Sequence, residues 1–262
     1  MLDLSDFDLA WLLPPEFAHA SVWLWLGLGL VFMLGGTVKG VLGVGLPLVV
    51  VPLLSLMLPT PTAIALVAAP VLVSNLWQTY DSRASRHNLY RFWPLIVSLL
   101  LSTLVTVPLT LQLPATVLNV MMAVAVITAI SLMAFNPKVH IAKRWERWAG
   151  AAVGTLSGAM GGVSSLTGPI IITFLMALQL KREEFIGTIS VIYLFGAAPL
   201  YAALWWYGRL ELSHIVVSVV AMAPMALGLS LGKRVRTRVS EVLFRRILLV
   251  FLLCIAVALL SK

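Results

Sequence analysis

Apolar stretches of about 20 residues, the length that crosses a bilayer as a helix, recur along this whole chain. They fall at residues 21–57, 62–80, 92–111, 115–134, 147–179, 184–207, 212–230 and 241–260. The loops between them are too short to hold a soluble domain, so residues 1–262 read as one domain embedded in the lipid bilayer. Composition agrees, because 61% hydrophobic and 11% charged residues are far from the balance of a soluble globular domain. The expected fold is an all-α polytopic membrane protein.

A formal net charge of +8 in a soluble protein would point to nucleic acid. Here the basic residues sit in short loops, where they set orientation instead. Arg83, Arg86 and Arg91 form one cluster, Lys138, Lys143, Arg144 and Arg147 a second, and Lys233, Arg234, Arg236 and Arg238 a third. All three are expected in the cytoplasm, and Lys181 and Arg182 agree with a cytoplasmic return after segment 147–179. The loop near Arg209 and Glu211 is nearly neutral and falls outside, as do both termini. The opening "MLDLSDFDLAWLLPPEFAHA" is acidic where a secretory signal is basic, so it is expected to be retained and to lie at the interface. Cys254 is the only cysteine, which excludes a disulfide framework or a thiolate metal cluster within one chain.

Segments 21–57 and 147–179 are too long for one ordinary span, and each carries glycines near its middle. A helix, a break and a second helix describes both, as a re-entrant or fully crossing hairpin. The chain then divides into a repeat at 21–134, a cytoplasmic linker at 135–146 and a repeat at 147–260. A returning hairpin plus three transmembrane helices crosses an odd net number of times, so the two repeats are expected to have inverted topology.

The repeat is visible in the residues. "GTVKGVLG" at 36–43 matches "GTLSGAMG" at 154–161 in the pattern G-T-x-x-G-x-x-G, with Ser157 falling on Lys39. A single-residue gap then sets Pro52 near Pro169, and the spans "AIALVAAPVLVSNLWQ" and "FIGTISVIYLFGAAPL" correspond. Small residues four apart also let membrane helices pack closely, which is the competing reading of Gly36 with Gly40 and of Gly154 with Gly158.

Backbone groups freed by a helix break are tolerated in hydrocarbon only where protein buries them or a cavity hydrates them. Two matching breaks therefore predict one shared cavity near the midplane. Pro47 and Pro169 suit the first turn of the outgoing half-helices, and Ser164, Ser165 and Thr167 can cap the second. Half-helix N-termini present unpaired N–H groups and the positive end of a dipole to an anion. Lys39 adds a full charge, and a lysine at the membrane centre costs roughly 2.5–3.5 kcal/mol, which by default marks a functional path. The competing readings are a lysine that reaches the interface or pairs with a neighbour.

The substrate-binding set expected from the breaks is Lys39, Gly40, Gly43, Gly45, Gly161, Gly162, Ser164, Ser165 and Thr167. Asn75 and Gln78 in one span, and Thr188, Ser190 and Tyr193 in its counterpart, add hydrogen-bonding groups, each open to the alternative of an interhelical bond.

These motifs, "GTVKGVLGVGLPLVVVPLL" and the degenerate "GTLSGAMGGVSSLTGPIIITFL", together with "REEFIGTISVIYLF", resemble those of the sulfite exporter TauE/SafE family, over essentially the whole chain. The resemblance implies secondary transport, as export across a bacterial inner membrane, of small sulfur-containing anions such as sulfite, sulfoacetate or other organosulfonates. Lys39 has no charged equivalent in the second copy, which argues against a dianion. A passive anion channel, a carrier of a different organic anion and an assembly role are the alternatives.

Enzymatic readings fare worse. A hydrolase using Ser164 or Ser165 needs a base in reach, and His214 falls near the outer surface, beside Glu211, as a hydrated interface pair. There is no Walker sequence and no metal-ligand cluster, and "GVLGVGLP" has Leu48 in the final glycine place of a dinucleotide loop. No enzyme activity and no cofactor are expected. No acidic residue sits convincingly in a membrane centre, so proton coupling has no visible carrier, while a proton or a sodium ion stands as the candidate coupling partner. Trp205, Trp206 and Tyr207, and Trp145 and Trp148, read as interfacial belts.

Overall fold

The structure, a computed structural model, describes residues 13–14, 17, 20–81, 86–135, 141–180 and 182–262. Residues 1–12, His19, Arg83, Lys138, His140 and Lys181 lie outside them, as do the side chains of Arg86, His87 and Arg182. The described chain forms α1 (Val22–Leu42), α2 (Leu46–Met57), α3 (Thr60–Ala65), α4 (Ala68–Asp81), α5 (Arg86–Thr110) and α6 (Ala115–Phe135). After the linker come α7 (Glu146–Ser164), α8 (Gly168–Ala177), α9 (Arg182–Trp206), α10 (Leu212–Val220), α11 (Met222–Val235) and α12 (Glu241–Leu260). No strand occurs among the described residues, and seven segments there are long and apolar enough to span a membrane. The chain is an all-α polytopic membrane protein.

Two of the expected single spans are broken. The span at Thr60–Asp81 divides into α3 and α4, and that at Leu212–Val235 into α10 and α11. In each the break comes just before a proline, Pro70 or Pro224, which has no N–H to donate and crowds the carbonyl four residues earlier. The Ala69 N–H beside the first break donates instead to Ser218 Oγ on α10, at 2.9 Å.

Both long segments are hairpins of unequal arms. Helix α1 has 21 residues and α7 has 19, whereas α2 has 12 and α8 has 10. At 1.5 Å per residue the second arms reach about 18 and 15 Å, half of a hydrocarbon core. Each second arm is therefore a half-helix that ends inside the protein.

The breaks also revise the register of the motif. Gly43 closes α1 in the left-handed region, its N–H donating to Lys39 O at 2.7 Å. Ser165 closes α7 in the same way, donating to Gly161 O at 2.7 Å. Pro47 and Pro169 both fall in the first turn of the half-helix that follows, while Pro52 lies inside α2. The pairing of Pro52 with Pro169 is thus wrong. One extra helical turn in α7 separates its glycines from its break, so at the break Gly161, rather than Ser157, occupies the place of Lys39.

Helix pairing crosses between the halves. Helix α1 packs along α11 and α7 along α5, α2 touches α12 and α8 touches α6, while α4 meets α9 and α6 meets α12. The first two contacts rest on glycine. Gly36 and Gly40 face the backbone of α11, Gly154 and Gly158 that of α5, so the close-packing reading of these four is correct. At one end Arg91 of α5 holds Glu146 of α7 through two bonds, of 2.5 and 3.1 Å, and Glu184 of α9 at 3.3 Å. Arg91 thereby sets the N-termini of three helices level, beyond its part in the basic loop. At the opposite end Lys262 Nζ donates to Ser55 O at 2.7 Å and covers the C-terminal carbonyls of α2.

The outer surface is apolar, with Leu26, Leu30, Val105, Leu109 and Val250 exposed, while Lys39, Asn75, Ser157 and Thr188 are buried. That inversion of the soluble pattern is what a lipid solvent demands. Trp148 and Trp206 are 74% and 83% exposed, as belt residues at a headgroup boundary are.

Candidate functional site

The two hairpin breaks meet at one cavity. Its wall is made by residues 45–48 at the start of α2, residues 165–169 leading into α8, Ile172, Lys39, Val71 and Asn75, and Tyr193, Gly196, Ala197 and Leu200 of α9. About 630 Å³ of atom-free space, open mouth included, lies within it. Leu46, Leu48, Val71, Ile172 and Leu200 make most of the wall apolar, and the polar groups are few.

Lys39 is the strongest of them. Its side chain is 5% exposed, and its ammonium donates to Ser74 Oγ at 2.8 Å and to Asn75 Oδ1 at 3.1 Å, both on α4. Ser74 in turn donates to the Pro70 carbonyl. An ammonium has three N–H donors, so these neutral acceptors leave one unassigned. Among the described residues no carboxylate lies within ion-pairing distance of it. The local field is therefore positive. Two half-helix N-termini, each worth about half a positive charge, open on the same cavity and reinforce it.

Backbone conformation explains how the loop reaches this place. Gly43 and Gly45 have φ of 82° and 100°, which side-chain-bearing residues adopt only at a cost. An added Cβ at Gly43 meets nothing within 4 Å, so its substitution isolates backbone strain from crowding. Gly43→Ala is expected to destabilise the protein by about 1–2 kcal/mol, read as a fall in melting temperature in detergent, with Gly29→Ala in open space as the control. An unchanged melting temperature would show that the loop adopts another conformation.

The second break is polar. Ser165 takes the left-handed conformation with φ of 60° and lines the cavity beside Thr167. The capping expectation fails in detail, because Thr167 holds the N-cap place without a side-chain capping bond. Ser164 folds back on its own helix, donating to Met160 O at 2.7 Å and accepting from Leu166 N–H at 3.3 Å. The Tyr193 hydroxyl is buried with no hydrogen-bond partner among the described groups. It lies against Gly168, where an added Cβ would sit 2.6 Å from the phenolic oxygen.

Of the residues expected from sequence, Lys39, Gly45, Asn75, Ser165, Thr167 and Tyr193 come together on the cavity wall. The others stand behind it. Gly40 is at the crossing with α11, Gly161 packs on Thr167, and Gly162 packs on Thr106 of α5. Gln78 donates to Gly43 O at 3.1 Å and accepts from Ser190 at 3.3 Å, so it braces the loop from α4 to α9. Thr188 is buried on α9 away from the wall. Ser74 was missed, although "SN" within the apolar run "VLVSNLW" is the signal that finds it.

Among the described residues neither Ser164 nor Ser165 hydrogen-bonds to a histidine. His214 is buried, and its Nδ1 accepts the Glu211 backbone N–H at 3.2 Å, so it caps α10 and is no hydrated surface pair. Among the described residues no group of three or more His, Cys, Asp or Glu side chains is placed to hold a metal.

The chain's residues 28–259 match the family model described as Sulfite exporter TauE/SafE. The chain belongs to the TauE/SafE family. Curated proteins and solved structures gave no match. TauE/SafE members are membrane transporters, so the chain is a multi-pass transport protein and not an enzyme, and sulfite and related anions are the family's cargo. The match takes in both breaks and all of the cavity wall.

Proposed function

We propose that this TauE/SafE member is a secondary transporter that carries a small sulfur-containing anion, such as sulfite, sulfoacetate or another organosulfonate, out across a bacterial inner membrane. The observation that carries the reading is the buried Lys39 ammonium, held by two neutral oxygens and facing a cavity on which two half-helix N-termini open. A buried cation without a counter-charge is costly, and an anion entering the cavity supplies that charge. Asn75, Ser165, Thr167 and Tyr193 stand where they can hydrogen-bond the remaining oxygens. The apolar wall accepts a carbon substituent.

Alternating access follows from two halves of inverted topology, residues 21–134 and 147–260, joined by a cytoplasmic linker, with the termini outside. The exchange of helix partners between halves supports this reading. A proton or sodium ion is the expected coupling partner, since uphill export requires one.

The test is counterflow in proteoliposomes loaded with unlabelled sulfite or sulfoacetate, with labelled anion outside. Transient accumulation that saturates with substrate is expected, and taurine, sulfate and lactate complete the panel. Flux that rises linearly without counterflow would make the protein a passive anion channel.

A further inference from the structure

Away from the transport cavity, an open recess lies at the end of the bundle that carries the Arg91 ion pairs. Tyr90 and Arg91 from the start of α5, Lys143 and Glu146–Arg147 at the entry to α7, and two aliphatic side chains enclose about 1280 Å³ of atom-free space, open mouth included. Both oxygens of the Glu146 carboxylate are engaged by Arg91, whose remaining nitrogen reaches Glu184. The three together carry one net negative charge, which the two further cations Lys143 and Arg147 outweigh. Lys143 and Arg147, four residues apart, have no carboxylate within ion-pairing distance among the described residues, so the recess is positive.

Its depth is marked by aromatic side chains. Tyr90 lines it at 79% exposure, Trp145 and Trp148, next in sequence to its Glu146 and Arg147, are 57% and 74% exposed, and the Arg144 guanidinium lies 5.9 Å over the Trp145 ring. Exposed tryptophan and tyrosine at the end of spanning helices mark the headgroup level of a bilayer. A positive recess at that level has the chemistry of an oxyanion-headgroup site.

We propose that Lys143 and Arg147 bind a phosphate oxyanion at this recess, the group carried by an anionic phospholipid or by free phosphate, separately from the transported anion. The tyrosine and tryptophans flank the glycerol region of a bound lipid, and the Arg91–Glu146 pair fixes the wall against which the phosphate rests. A membrane source would couple lipid composition to the position of α7, the first arm of the second hairpin.

The full-length protein, delipidated in neutral detergent, would be titrated with phosphatidylglycerol, phosphatidylcholine and inorganic phosphate and read by native mass spectrometry. At an anionic surface each basic side chain adds roughly fivefold to binding, so Lys143→Gln with Arg147→Gln should weaken phosphatidylglycerol binding on the order of twenty-five-fold. Lys233→Gln with Arg236→Gln removes the same charge from the exposed C-terminal end of α11 and should leave it unchanged. Preference for phosphatidylglycerol over phosphatidylcholine assigns the lipid source; phosphate binding without that preference, lost in the Lys143/Arg147 variant, assigns the free ion. Equal losses in both double variants, or no loss in either, would overturn the site. Both altered pairs are exposed, and unchanged melting temperatures would separate lost binding from misfolding.

Discussion

Lys39→Met is expected to abolish saturable anion flux while leaving the melting temperature unchanged or raised. Methionine keeps the apolar stem that packs beside α4 and removes only the ammonium. If the ammonium meets the anion in the cavity, its loss removes a charge-assisted hydrogen bond worth about 3 kcal/mol, on the order of a hundredfold in apparent affinity. Stability moves the other way. A buried lysine with no carboxylate partner costs roughly 2.5–3.5 kcal/mol, and its bonds to Ser74 and Asn75 offset only part of that. Lost flux with retained stability is the signature of a residue kept for its ligand. A structural strut between α1 and α4 would behave in the opposite way: the variant would melt earlier and still transport. Measuring both quantities on one preparation therefore decides the role of Lys39, and retained flux would sink the anion contact.

How far such a site can be read from residues depends on which physical signal each one leaves. Span positions were legible because apolar length is a one-dimensional property, and Gly43, Gly45 and Lys39 stood out because a helix break and a charge are costly in lipid. The register of the two copies was not. Gly-Thr identities align the packing faces of α1 and α7, but the break in α7 lies one turn later, at Ser165, a serine in a conformation that favours glycine. Nothing in a serine announces that φ. The polar residues divided for a related reason: Asn75 and Gln78 lie three apart on α4, and that displacement sends one to Lys39 and the other to the Gly43 carbonyl. Sequence locates such groups near the site, and helix rotation decides which of them face it. The breaks before Pro70 and Pro224 were visible as prolines but not as breaks, since Pro94, Pro108 and Pro199 sit inside continuous helices.

The crossing of α1 with α11 should be the least tolerant place in the molecule. Gly36 and Gly40 on one helix face Gly228 and Gly232 on the other, and a Cβ added at any of the four would run into backbone of the opposing helix. At Gly40, for example, it would lie 2.5 Å from the Leu229 carbonyl oxygen and 2.9 Å from the Gly232 Cα. A side chain in that position could rotate away, but a carbonyl held in a helix cannot, so the helices must separate. In a membrane this association rests on packing rather than on a hydrophobic drive, which is why small residues at the contact matter so much. Gly228→Ala is expected to cost about 1–3 kcal/mol, and Gly228→Ala with Gly232→Ala more than either alone, as overpacking does. Gly29→Ala, on α1 with nothing near its Cβ, supplies the contrast: it should be neutral or mildly stabilising, because alanine is the better helix former. The readout is melting temperature and monodisperse yield in detergent. If Gly228→Ala and Gly29→Ala behaved alike, the close approach of α1 and α11 would be wrong, and with it the tie that holds the Lys39 arm of the first hairpin against the second half.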